Sequence, residues 1–214
     1  ASATMDKLFT PEQLKGALIL KANNFQSSYC RNDGNGKFTL IPLPMQAQLS
    51  ALNGMTVDDF DGDGNLDLII NGNDYGTDVS VGRYDALNGL VLKGDGKGNF
   101  TSLSILQSGI YIPGNGKALV KLRGKNGNYL VAAGQNRGRL KVFELKRNVQ
   151  TVALLPNEVT GEETFKNGKI QRLEFYYGSS FLSQSARFLS IDSNVTSIMI
   201  NDSKNNKRKI EFTH

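Results

Sequence analysis

The residues of this chain best suited to chemistry are aspartates. The stretch Asp59-Phe60-Asp61-Gly62-Asp63-Gly64-Asn65-Leu66-Asp67 puts carboxylates at positions one, three, five and nine of a short loop, with Gly64 at position six, where the backbone must turn sharply. Carboxylates packed this densely repel one another unless a cation neutralises them. Hard oxygen donors on a flexible loop suit Ca2+, which takes six to eight oxygens at roughly 2.3–2.6 Å, whereas Mg2+ prefers to keep several of its waters. The spacing assigns the Asp59, Asp61, Asp63 and Asp67 side chains as ligands, with the Asn65 carbonyl as a fifth donor and water completing the shell. An EF-hand does not fit. Its bidentate Glu is replaced by Ile70 at position twelve, and Leu66 to Ile70 reads as a strand rather than a helix. The competing reading is a solvated acidic turn, because Asp-Gly pairs are common turn residues in any case.

Other chemistries find little to work with. The single histidine is the terminal residue His214, so a serine or cysteine triad would depend on a chain end and a histidine zinc site is excluded. Cys30 is the only cysteine and has no internal partner for a disulfide. Gly94-Asp95-Gly96-Lys97-Gly98 is not followed by a helical pattern that would hold a phosphate, and Pro113-Gly114-Asn115-Gly116-Lys117-Ala118 lacks the first glycine and final hydroxyl of a P-loop. Glu162, Glu163 and Glu174 contain enough carboxyls for a glycosidase pair, but nothing in the sequence brings them together, and a solvated strand face is the expectation.

Whatever positions the aspartates is mostly β. Glycines number 23 against 5 prolines and cluster with Asn and Asp, the residues of tight hairpin turns. Between them, Ala17–Ala22, Phe38–Leu43, Leu66–Ile70, Leu90–Lys93, Phe100–Leu106, Lys117–Leu122, Tyr129–Ala133 and Leu140–Leu145 all read as strands. One short N-terminal helix is predicted from Pro11 to Lys15, with Thr10 as cap and Gln13 closing a capping box. The turn Asn32-Asp33-Gly34-Asn35-Gly36-Lys37-Phe38 is echoed 62 residues later (95 − 33) by Gly94-Asp95-Gly96-Lys97-Gly98-Asn99-Phe100. A weaker echo, Lys125-Asn126-Gly127-Asn128-Tyr129, arrives early. A period of about 60 residues with several strands per repeat suits β-propeller blades of four antiparallel strands; two ordinary hairpins with the same turn chemistry is the plainer alternative.

Val57-Asp58-Asp59-Phe60-Asp61-Gly62-Asp63-Gly64-Asn65-Leu66-Asp67-Leu68 resembles the calcium-loop signature of FG-GAP or VCBS repeats, the blades of integrin-like propellers. The text around Tyr29 to Phe38 and Gly82 to Asp85 is similar to exported repeat proteins of Bacteroidetes-type bacteria. Gln171-Arg172-Leu173-Glu174-Phe175-Tyr176-Tyr177-Gly178-Ser179-Ser180-Phe181-Leu182-Ser183-Gln184-Ser185 resembles the ASPIC/UnbV segment that follows such propellers. The resemblance implies a partial propeller of two to three blades over residues 1–150 and a small β segment over 151–214. It implies a calcium site in the first loop only, because Gly82 to Gly89 keeps a single acid. A closed propeller takes four to eight blades, so the implied chain is either the tail of a longer protein or one whose open sheet edges are covered by further copies. The absence of a basic-then-apolar leader after Ala1 implies a removed export signal or an internal piece.

Net charge is +5, with a basic run from Lys204 to Lys209. No stacking platform or recognition-helix pattern accompanies the basic residues, so Lys121, Arg123, Lys125, Arg137, Arg139, Lys141, Lys146 and Arg147 read as solvated strand and turn residues rather than a nucleic-acid surface. No apolar run approaches the roughly 20 residues of a membrane-spanning helix. Tyr176, Tyr177 and Phe181 read first as a small core or a packing contact and second as a sugar-stacking patch. Together with the resemblance, these features point to a calcium-binding, non-enzymatic adhesion module at the cell surface or in the periplasm, docking a protein or glycan. A structural segment of a surface assembly and part of a glycan-active enzyme are the alternatives.

Overall fold

A computed structural model describes residues 3–147 and 149–213; His214 lies outside them. Among the described residues there are fifteen strands, all paired antiparallel, against three four-residue α-helices and one short 3-10 turn at Met45–Gln48. The chain is mainly β.

Helix α2 (Pro11–Leu14) forms where the capping pattern predicts it: Thr10 N donates to the Gln13 side chain at 2.8 Å while Gln13 N donates to the Thr10 hydroxyl at 3.4 Å. It is not alone. Helix α1 (Met5–Leu8) precedes it, and α3 (Ile105–Ser108) carries a second capping box from Ser104 and Gln107, closed by left-handed Gly109. The strand expected over Phe100–Leu106 is therefore cut short at Leu103. The strand expected over Ala17–Ala22 is absent: the segment is irregular and Leu18, Ile19 and Leu20 are exposed, because an apolar run becomes a strand only with a neighbour to complete its ladder.

Strands β1 (Ser28–Gly34) and β2 (Lys37–Pro42) form a hairpin whose two loop residues, Asn35 and Gly36, both have positive φ, as a type I′ turn requires. Next comes a four-stranded meander of β3 (Leu52–Asp58), β4 (Asp67–Gly72), β5 (Leu90–Gly94) and β6 (Phe100–Leu103). Strand β4 is buried along its whole length. Its side chains alternate between two cores: Leu68 and Ile70 pack with Ala47, Leu87 and Leu92, whereas Ile69 packs with Ile112, Leu119 and Val131. A three-stranded sheet follows, made of β7 (Gly116–Arg123), β8 (Tyr129–Gln135) and β9 (Lys141–Glu144). The first two echoed turns join β1 to β2 and β5 to β6, and the early third echo is the β7–β8 turn.

The two sheets are joined by side chains rather than a ladder. Asn71 accepts from Gly54 N at 2.8 Å and donates to the Ala118 carbonyl at 3.0 Å, and Asn53 donates to the Gly116 carbonyl at 2.9 Å. These amides satisfy backbone groups that would otherwise be orphaned between β3 and β7.

The remaining strands are β10 (Gln150–Ala153), β11 (Glu158–Phe165), β12 (Ile170–Glu174), β13 (Phe188–Ile191), β14 (Val195–Asp202) and β15 (Lys207–Glu211). They make a β10–β13 pair and a sheet of order β12-β11-β14-β15, around a core of Val152, Phe175, Ile191, Val195, Ile198 and Ile200. Phe188 leaves that group and enters the core beneath β8, edge-on to Tyr129 with ring centroids 5.3 Å apart. The described sheets do not close into a barrel or propeller.

Candidate metal centre

The aspartate loop connects β3 to β4, with Asp58 ending one strand and Asp67 beginning the next. The backbone chain reversal is held by the aspartates themselves. Asp59 accepts from Gly62 N at 2.7 Å and Gly64 N at 3.1 Å, Asp61 accepts from Asp63 N at 3.1 Å, and Asp63 accepts from Asn65 N at 2.9 Å. Gly62 and Gly64 both have φ near +85°, which lets the chain fold around the carboxylates instead of away from them.

Three of the predicted ligands converge. One carboxylate oxygen from each of Asp59, Asp61 and Asp67 lies within 4.8 Å of the others, a set that could hold a metal ion. Asp67 is fixed from both sides, accepting from Phe60 N at 3.1 Å and from Gly94 N of β5 at 2.9 Å. Burial pushes the Asp59 and Asp67 carboxyls above their ordinary values, against the backbone donors that hold them down; neighbouring aspartates add to the rise. Ionising either group carries a cost that an adjacent cation would lower.

Asp63 is placed differently. With Asp61 it grips the ammonium of Lys93, at 3.0 Å from Asp63, and this contact holds the Asp63 carboxyl below its usual range. Asn65, assigned through its carbonyl, sets its side-chain oxygen against Gly96 of the β5–β6 turn, where a Cβ would come within 2.3 Å.

Three residues absent from the sequence assignment anchor the loop. Lys93 supplies the counter-charge just described. Arg147 donates to the Asp59 carbonyl at 2.7 Å and lies over Gly62. Asp58 turns away from the loop into the protein, where it accepts from Lys121 Nζ and the Tyr129 hydroxyl at 2.9 Å and from the Ser190 hydroxyl at 3.0 Å. Lys121 is thus not a solvated strand residue: it is mostly buried and paired. The only local signal for Asp58 was its place as the last residue of a strand, since its side-chain partners lie 63 to 132 residues away and its one near donor is Asp59 N, at 3.1 Å.

Of the other sequence candidates, Glu163 is buried on β11 while Glu162 and Glu174 point to solvent, so the expectation of a uniformly solvated face is corrected for Glu163. Tyr176, Tyr177 and Phe181 do not fill a core; all three are exposed, Tyr177 beneath the Arg187 guanidinium at 4.3 Å. Cys30 is exposed and unpaired in a disulfide. No helix among the described residues is long and apolar enough to cross a membrane. No protein-family model matches the chain, and no curated protein matches it significantly.

Proposed function

We propose that this chain is a calcium-binding, non-enzymatic binding module of an exported or surface protein, built from FG-GAP/VCBS-like propeller blades followed by an ASPIC/UnbV-like segment. The observation that carries the reading is the convergence of Asp59, Asp61 and Asp67 at the mouth of a β3–β4 loop whose backbone is already folded around them. Oxygen-only donors of this charge favour Ca2+ over softer metals, and a site that supplies most of its donors from the protein favours it over Mg2+, which keeps several waters. Asp63 joins the shell by releasing Lys93, and the Asn65 carbonyl and water complete it. The ion then fixes the β3–β4 loop while a protein or glycan docks on exposed loops. Support for docking comes from the exposed ring of Tyr176, beside Tyr177 and Phe181, which are exposed but carry Arg187 and Lys117 over one face each.

Calorimetric titration of Ca2+ and of Mg2+ into chelator-stripped protein tests the metal assignment. One saturable Ca2+ site, far weaker for Mg2+ and lost in Asp61→Ala, is expected; no heat with Ca2+, or equal binding by the variant, refutes it. A glycan array read for binding and for product release then separates a binding module from an enzyme.

A further inference from the structure

A cleft of about 420 Å³ runs between the end of β3 and the C-terminal strands, within the size range of small-molecule sites. Glu163 lines it. The β11 register sets Glu163 opposite Gln171 and Ile198 and on the same face as Phe165, which turns the side chain inward. It is 7% exposed. Among the described residues no donor reaches its carboxyl, and the charges that bear on it are those of Asp58 and Asp192, two further carboxylates lining the same cleft. Burial, then these two neighbours, push Glu163 up to about 7.

Among the described residues no cation of the cleft reaches Glu163. Lys121 pairs with Asp58 at 2.9 Å and Arg172 with Glu174 at 2.9 Å, while Arg147 and Arg187 direct terminal nitrogens at backbone carbonyls and keep their Nε donors without a partner. A bare metal ion is a poor answer, because the only three carboxylates among the described residues that converge to within 4.8 Å are those of Asp59, Asp61 and Asp67. Leu154, Phe165, Leu173 and Phe188 give the cleft apolar wall, alongside Gln171, which the register sets opposite Glu163. An unpartnered buried carboxyl, negative neighbours and a hydrocarbon lining together call for a monovalent organic cation with an aliphatic arm.

We propose that this cleft binds a small aliphatic amine, its ammonium pairing with Glu163 and its hydrocarbon lying against Phe165 and Leu173. The cleft borders the aspartate loop through Asp59 and Gly64, but Glu163 is not one of the assigned metal ligands and the proposal does not require calcium to bind. The test is a titration of the chelator-stripped chain, repeated with millimolar Ca2+, at about pH 8.5, above the raised value of Glu163, with n-butylammonium, pentanoate and 1-pentanol, followed by NMR. Saturable butylammonium binding in the millimolar range is expected, with the acid and the alcohol at least about tenfold weaker. Glu163→Gln, a neutral isostere, removes the preference for the amine. Equal binding of the three probes to the unmodified protein, undiminished amine binding by Glu163→Gln, or no saturable binding of butylammonium overturns the proposal.

Discussion

The Asp58 carboxylate and the Tyr129 hydroxyl meet at 2.9 Å, and this one contact ties the strand that opens the aspartate loop to the middle strand of the next sheet. The same oxygen takes Lys121 and Ser190, so a single carboxylate joins three parts of the fold. Removing one member of a buried, hydrogen-bonded ion pair leaves the other uncompensated. Asp58→Ala is expected to destabilise the protein by about 3 kcal/mol or more, and Tyr129→Phe by about 2 kcal/mol because it deletes a bond to a charged acceptor. Urea unfolding midpoints check both; a change within error for Asp58→Ala would remove it from this structural role.

The side-by-side approach of β3 and β7 depends on Gly54. A Cβ there would stand 2.6 Å from Asn71 Oδ1 and from the Lys117 carbonyl, and 2.7 Å from Leu119 N. Two of these three atoms are backbone, so neither can step aside. Gly54→Ala is expected to cost about 1–3 kcal/mol by overpacking, whereas Gly124→Ala, which meets nothing nearer than 3.4 Å, stays close to neutral. Thermal melts of the pair measure the difference.

Much of this was readable where the signal is local. The β1–β2 turn announces itself through Asn35-Gly36, α2 through Thr10 and Gln13, and the aspartate loop through its own spacing. What escaped depends on distant partners. Leu18, Ile19 and Leu20 have strand composition but no neighbouring strand, and Glu163 resembles Glu162 until the register turns one inward and the other outward. Lys93 looks like any strand lysine until the fold brings it to Asp61 and Asp63. The Ser104–Gln107 capping box was legible but overshadowed by the apolar run in which it sits.

Glu163 makes stability depend on pH in a stated direction. Its carboxyl is raised from an ordinary 4.5 to about 7 in the folded chain, so the folded state holds a proton that the unfolded state has already released in that window. The groups that bear on it, Asp58 and Asp192, are both acids and reinforce the effect. Its contribution is complete below pH 4.5, falls as pH rises towards 7 and is flat above, a loss of about 3 kcal/mol. The difference in unfolding free energy between Glu163→Gln and the unmodified protein, followed across that window, isolates the effect from other carboxyls. A difference independent of pH would contradict it.

Lys93 holds the Asp61 and Asp63 carboxylates that the proposed calcium ion would take. On the proposed calcium reading the ion displaces this ammonium, so Lys93→Met is expected to tighten Ca2+ binding severalfold at low salt and by less at high salt, where the charge is screened. Calorimetry at two ionic strengths provides the comparison, and weaker binding by the variant would mean that Lys93 organises the loop instead of blocking it.

The central claim is that the aspartate loop is a calcium site that stabilises the fold. Its most direct test is the thermal melt of chelator-stripped protein with Ca2+, with Mg2+ and with neither, for the unmodified chain and for Asp61→Ala. An ion that binds only the folded state adds about 2.7 kcal/mol when present at a hundredfold excess over its Kd, a rise of roughly 5–10 °C for a chain of this size. The account predicts that rise with Ca2+ alone and its loss in Asp61→Ala; superimposed melts across millimolar Ca2+ would contradict it.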